Sequence, residues 1–188
     1  MVVGNAAAGG VTMRSDEYAT VAELHTVALA FVEMANRMVY CTLATVDRRG
    51  RPRSRMVHTL WEWDGTSPVG WVGSIVTPMK RAHLQNNPYV SCNYWNGVEA
   101  YDTCVAECRT KLLLDETSRR EGWERFKAVP PPLGYDPAII PQWKDGPSSP
   151  AWGVLRLEPW HLRVFPGEFA RSGGTVGQIL TWQEGELA

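Results

Sequence analysis

Apolar residues recur at helical intervals early in the chain and at strand intervals after that. Leu24, Ala28, Phe31, Val32 and Ala35 share one helical face, and Thr20 and Glu23 precede them at capping-box spacing, so a helix is predicted there. The period then changes. Residues 39–46 (VYCTLATV) are rich in β-branched and aromatic types and run into Asp47-Arg48-Arg49-Gly50, a hairpin-turn composition. Residues 53–63 read as the return strand, ending at Asp64-Gly65, and residues 70–76 as a third strand. Pro78 opens a short helix containing Lys80, Arg81, Ala82 and Leu84, which stops at Asn87-Pro88. Strands are predicted over 89–94 and 101–113, and a helix over 117–129 that Pro130-Pro131-Pro132 ends. Residues 152–157 and 161–165 read as the last two firm strands.

Short turns join the first three strands, so an antiparallel meander is the economical arrangement. Five or six antiparallel strands with few flanking helices predict a mainly β fold, a closed or partly open barrel, with a sandwich as the alternative. Three divisions follow: a disordered N-terminal segment over 1–15, one domain over 16–166, and a tail over 167–188 associated with a dimer. Within the tail, Ile179, Leu180 and Trp182 suit a strand or a partner-docking segment. Residues 130–150, rich in Pro, Gly and Asp, are a candidate lid or a surface loop packing at a dimer.

Composition narrows the function. The chain has 188 residues, and 19 Lys+Arg against 20 Asp+Glu leave a net charge of −1, which recommends neither nucleic acid nor an anionic membrane as partner. No apolar run approaches the ~20 residues a membrane span needs. The first ten residues carry no basic residue and no long apolar block, so a secretion signal is not expected and the protein reads as cytoplasmic. Nine Trp residues suit a pocket for a planar ligand, with Trp71, Trp95 and Trp152 expected nearest to it. Cys41, Cys92, Cys104 and Cys108 form no C-x-x-C pair, and His25, His58, His83 and His161 show no zinc spacing, so no metal site is expected and the thiols read as buried core groups. No phosphate-binding glycine loop and no nucleophile elbow occur, and no catalytic residue is assigned. Reactive atoms, if this is an enzyme, belong to a cofactor.

Two segments carry candidate chemistry. Arg51, Arg53 and Arg55 alternate along one strand face, which suits a phosphate or a solvated strand edge; Arg55, leading into Met56-Val57, is the functional candidate. Residues 74–81 (SIVTPMKR) run off a strand into a helix start. The unpaired N–H groups there, the Ser74 and Thr77 hydroxyls and the Lys80 ammonium together suit an anion.

In order, these pieces resemble the pyridoxamine 5′-phosphate oxidase-like, FMN-binding split-barrel proteins. The strand VYCTLATVD precedes the turn RRGRP and the strand SRMV. Then come TPMKRAHLQNNPYVSCNYW, with Thr77, Lys80, Leu84 and Asn87-Pro88 at the family's distances, and WGVLRLEPWHLRVF; together they cover residues 38–165. The resemblance implies a homodimer of six-stranded antiparallel split barrels with a flavin at the subunit interface. It places Arg55 and Lys80 on the flavin phosphate and Thr77 in the same segment. It lays the backbone of Met56 and Val57 along the ring, and puts Ser74 and Ile75 against the ring and ribityl chain.

The chain also departs from the vitamin B6 oxidases. Met79 stands where an arginine usually precedes the phosphate lysine, Leu60 where a lysine usually follows the R-[MIV]-V stretch, and residues 169–173 lack the Arg-x-His substrate pair. What the resemblance implies is an FMN-dependent oxidoreductase moving a hydride between its cofactor and a small planar substrate. Its alternatives are a reductase using the 8-hydroxy-5-deazaflavin coenzyme, with Arg48, Arg49 and Arg81 on an anionic tail, and a non-catalytic flavin, haem or tetrapyrrole binder with His58 or His83 as axial ligand.

Overall fold

Residues 19–96 and 101–185 are described by the structure, a computed structural model; the segment 1–15, expected to be disordered, lies outside them. A short strand, Ala19–Val21 (β1), leads into the helix Leu24–Met38 (α1), which buries Val27, Ala28, Phe31, Met34 and Ala35. The expected capping box does not form. Thr20 is drawn into a parallel ladder opposite Leu180, which leaves Glu23 at the N-cap position with no side-chain bond. At the other end of the helix, Val39 has a φ of 66°, a left-handed conformation that a β-branched residue holds only under tertiary constraint. Its N–H donates to Ala35 O (3.0 Å), and its carbonyl accepts from both the N–H (3.0 Å) and Oγ1 (3.1 Å) of Thr59.

That clamp divides the return strand. Tyr40–Val46 (β2) pairs antiparallel with Pro52–His58 (β3), but the strand expected over 53–63 breaks at Thr59. Leu60–Trp63 (β4) pairs instead with Pro68–Ile75 (β5). The chain continues through Pro78–Asn86 (α2), Tyr89–Asn96 (β6), Asp102–Leu113 (β7) and Glu116–Ala128 (α3). Trp152–Phe165 (β8), expected as two strands, is one of 14 residues. Pro159 sits where the β7–β8 register shifts, a bulge that tolerates its missing N–H. Gly167–Arg171 (α4) and Ile179–Gln183 (β9) complete the described chain.

Among the described residues nine strands form one sheet in the order β1-β9-β8-β7-β6-β2-β3; β5 joins β8 beside β9, and β4 hangs on β5. The fold is mainly β with flanking helices: a sheet coiled into a barrel left unclosed between β3 and β5. The strand count exceeds the expected six because the return strand divides and because β1 and β9 add a further edge. No described helix is long and apolar enough to cross a membrane.

Two apolar clusters hold this arrangement. The larger fills the barrel between α1 and the sheet, with Phe31, Leu43, Trp61, Tyr94, Leu157 and Leu162; the smaller, under α3, gathers Leu60, Trp123, Phe126, Trp143, Trp152 and Val154. Adjacent residues Leu60 and Trp61 therefore point into different cores, as strand alternation requires. All four cysteines are buried and unbridged. A hydrogen bond with Cys92, and then burial, push the Cys41 thiol far above the ordinary range. Deep in the larger cluster, Trp61 Nε1 donates to Tyr94 Oη (2.6 Å), which also bonds Thr59 Oγ1 (2.7 Å). Tyr94→Phe strands the Trp61 N–H and lowers stability by about 1–3 kcal/mol, read by chemical denaturation. A change within error would show that this N–H finds another acceptor.

Candidate functional site

The unclosed edge leaves a cavity of about 420 Å³ between β3 and β5. Arg55, Met56, Val57 and His58 line it from β3, Gly73, Ser74 and Ile75 from β5, and Lys80 from the first turn of α2. The third wall is the strap over 130–150, which the sequence reading offered as a lid. It is folded into three short 3₁₀ turns and contributes Pro132, Tyr135, Ile139, Ile140 and Trp143. Trp143 and Trp152 meet edge-to-face at 4.7 Å, anchoring the strap in the smaller core. Gly73 is required here, because a Cβ would lie 2.8 Å from the Tyr135 hydroxyl and from the Trp152 ring.

One end of the cavity is cationic. Thr77 Oγ1 caps α2 by accepting from Lys80 N (3.2 Å), with Pro78 at the first helical position. Lys80 Nζ then reaches back to Ser74 Oγ at 2.5 Å. Across from it, Arg55 Nη2 donates to Thr45 Oγ1 (2.8 Å) and to Arg53 O (3.2 Å). Among the described residues neither cation has a carboxylate partner. Burial, with Arg55 nearby, pushes the Lys80 ammonium down to about 8; burial, then Arg53, lowers Arg55 from its usual value, but a guanidinium stays charged. Two under-compensated cations beside a helix N-terminus fit a phosphate dianion.

The structure thus brings together six of the seven residues singled out in the sequence: Arg55, Met56, Val57, Ser74, Ile75 and Lys80 all line one cavity. Thr77 stands just outside, lining a shallower cleft of about 260 Å³ with Arg53, Arg55, Lys80 and His83. The arginine face splits in use. Arg51 pairs with Asp47 (2.8 Å) and holds that carboxyl down at about 2, so it serves the hairpin turn, while Arg53 stays on the cleft. The tryptophans expected nearest the site are elsewhere. Trp71 stacks under Arg125 at 4.1 Å, Trp95 is exposed, and Trp152 is fully buried behind Trp143. Tyr40, Tyr135 and Trp143 supply the aromatic lining instead.

His58 enters with them. Its Nε2 lies 2.6 Å from the Leu133 carbonyl, and burial lowers its pKa below the usual value, which that bond partly offsets. The sequence signal for this wall is slight: two aromatics, Tyr135 and Trp143, in a proline-rich loop. A hollow of about 460 Å³ elsewhere, between Tyr89, Arg109, Glu158 and Glu184, gathers none of the predicted residues and mixes charges of both signs.

Comparison with known proteins agrees with the geometry at the level of fold. No protein-family model matches the sequence, and no curated protein matches it. Among solved structures, a protein of Clostridium acetobutylicum related to general stress protein 26, of the pyridoxine phosphate oxidase family, is similar with a TM-score of 0.59 and 12% identity; the match covers 84% of this chain and 97% of that one. A pyridoxamine 5′-phosphate oxidase-related, FMN-binding protein of Nostoc punctiforme gives a TM-score of 0.51 and 16% identity over 74% and 82% of the two chains. General stress protein 26 of Bacillus anthracis gives 0.52 and 16% over 73% and 92%. The chain has the split-barrel fold of the pyridoxamine 5′-phosphate oxidase-like proteins.

The Lys80 environment is directly measurable. In Arg55→Gln the midpoint of Lys80, followed by NMR of labelled lysine, moves up from about 8, because a neighbouring positive charge is gone. An unmoved midpoint would leave burial as its sole cause.

Proposed function

We propose that this protein is a cytoplasmic, FMN-dependent oxidoreductase that exchanges a hydride with a small planar substrate. One observation carries the reading: Arg55, Lys80 and the capped start of α2 converge, without carboxylate partners, on one end of a cavity whose remaining walls are apolar and aromatic. Arg55 and Lys80 would hold the flavin phosphate, with Thr77 setting the helix end that faces it. Met56, Val57, Ser74 and Ile75 would lie along the ring and ribityl chain. Bound flavin would supply the two-electron chemistry, and the strap, through Tyr135, Ile139 and Ile140, would wall it off from water.

The exposed apolar side chains of Met56, Met79 and Ile139 support a homodimer in which a second subunit covers the cofactor. The substrate differs from vitamin B6 phosphates on this reading. Leu60, at the position where those oxidases carry a lysine, is buried in the smaller core against the tryptophans and away from the cavity.

A second reading, the 8-hydroxy-5-deazaflavin coenzyme, is favoured by the cleft beyond the phosphate end. There Arg53 and His83 continue toward a hollow lined by Arg48 and Arg49 beside the Arg51–Asp47 pair, a track suited to a longer anionic tail. Titrating the protein with each coenzyme separates the two. A preference for the deazaflavin that vanishes in Arg48→Ser/Arg49→Ser selects the second.

For the first reading, flavin-fluorescence titration in Lys80→Ala shows an FMN dissociation constant raised by about ten- to a hundredfold, the loss expected for a charged hydrogen bond, with riboflavin affinity unchanged. An unchanged FMN affinity would remove the site assignment. In the wild type, FMN affinity falls as pH rises through about 8, since a lysine with a lowered pKa loses its proton there, whereas riboflavin affinity stays level. Parallel pH curves for the two flavins would contradict the role of Lys80.

A further inference from the structure

The cavity end away from the cations is also built, and by different chemistry. The His58 ring is boxed by Tyr135 at 4.6 Å, Tyr40 at 5.2 Å and Phe126 at 6.2 Å between ring centres. Its Nε2 sits 2.6 Å from Leu133 O. A carbonyl only accepts, so the proton of neutral His58 is on Nε2 and Nδ1 carries a lone pair. The strap holds that carbonyl firmly. Gly134 N–H donates to Pro130 O (2.9 Å), Tyr135 N–H donates to Phe126 O (3.0 Å), and a Cβ on Gly134 would collide with the Val129 backbone.

Beside His58, Tyr135 lies close against β5, where only Gly73 leaves room for its hydroxyl. Burial raises the Tyr135 pKa, so Oη keeps its proton and donates. Among the described residues neither His58 Nδ1 nor Tyr135 Oη has a hydrogen-bond partner. Nor are they among the sealed, unpartnered nitrogens, which belong to His83, Arg119, Arg156 and Trp160, so neither atom is fully sealed, and both residues line the cavity. An acceptor and a donor, held at one end of a flat aromatic slot, read a ring edge that presents the opposite pair.

We propose that His58 Nδ1 and Tyr135 Oη form a recognition pair for a lactam-type edge, a ring N–H beside a ring C=O, with the N–H donating to His58 and the C=O accepting from Tyr135. This deepens the reading of the cavity as a planar-ligand site and rests on it. Two sources offer such an edge: the pyrimidine ring of a flavin and a separate substrate.

The probes are 2-quinolone, a planar lactam, and N-methyl-2-quinolone, in which a methyl group replaces the N–H hydrogen, and the loss of preference in His58→Phe separates the hydrogen bond from the added bulk. Binding is followed by ligand-observed NMR and calorimetry on the whole protein, with and without saturating FMN. Wild-type protein prefers 2-quinolone by about five- to tenfold, the size of one neutral hydrogen bond. His58→Phe keeps the aromatic box and abolishes the preference. Tyr135→Phe weakens both probes by a similar factor. Circular dichroism identifies any variant that has failed to fold, and the wild-type comparison of the two probes stands without either variant.

Acidification supplies an independent arm. The preference fades as pH falls below the ordinary imidazole value of 6.5, because protonating Nδ1 removes the acceptor. The groups facing His58 are the Tyr40 and Tyr135 phenols and, in the same cavity, Arg55 and Lys80; Lys80, at about 8, keeps its charge throughout that range. If FMN displaces 2-quinolone competitively, the edge belongs to the flavin. If 2-quinolone still binds and keeps its preference in the FMN-loaded protein, the edge belongs to the substrate. Either result supports the pair. Equal affinity for the two probes, or no binding of either, overturns it, whereas failure of FMN to bind would overturn the cofactor assignment and leave the probe comparison standing.

Discussion

Two hydrogen bonds to one carbonyl, from the N–H and Oγ1 of Thr59 to Val39 O, set the geometry on which the site depends. β2 begins at Tyr40, the partner of His58, so the residues beyond His58 have no strand to follow on that side; the clamp ends β3 there, and the next residues turn away to pair with β5. Among the described residues the β3 edge has no ladder on its far side, and an unpaired edge next to a neighbouring strand is a slot lined by backbone and alternate side chains. The left-handed φ of Val39 is the strain that accompanies this turn, and three hydrogen bonds surround the residue that carries it. Thr59 is also bonded to Tyr94 and through it to Trp61, so the clamp is fixed from inside the barrel core. Packing and site geometry are therefore one problem here.

The slot has a polarity along its length. At the α2 end, charge is left uncompensated: among the described residues Lys80 bonds Ser74 alone, and Arg55 a hydroxyl and a carbonyl. Several other arginines do find carboxylates, Arg37 with Asp102, Arg120 with Glu116 and Arg125 with Glu62. Holding two cations close without an anion raises the energy of the empty site; burial first, and then Arg55, lower the Lys80 pKa. An anionic ligand relieves it. The opposite end uses neutral groups in an aromatic box, where a hydrogen bond discriminates by geometry and charge contributes little. A molecule with an anionic tail and a flat polar head matches both ends at once.

Much of this was legible in the sequence, and the reasons are local. The alternation in VYCTLATV, the turn at residues 47–50 and the Pro78 helix start each depend on a few adjacent residues, so β2, β3 and α2 appear close to where they were expected. Arg55, Ser74 and Lys80 were found because a strand face and a helix start fix their side chains from the backbone alone. The break at Thr59 was not legible, since it depends on a carbonyl twenty residues earlier. The aromatic lining was misassigned for the same reason. Any of nine tryptophans is an equally good candidate by composition, and only the path of the strap selects Trp143 over Trp71, Trp95 and Trp152.

The strap shows how a loop with little regular structure becomes part of a site. Its prolines suppress alternative backbone conformations, and its short 3₁₀ turns bond mostly to themselves. What ties it to the barrel is aromatic: Trp143 against Trp152, and Tyr135 against Phe126 and His58. Arg119 adds a bond from α3 to the Ser149 carbonyl at the far end of the loop. A wall held at so many points acts as a fixed surface, and its Leu133 carbonyl therefore sets the tautomer of His58 in the empty protein, before any ligand arrives. The recognition chemistry of the slot is thus decided by a backbone atom of the strap, a dependence that no residue-by-residue comparison of binding motifs would register.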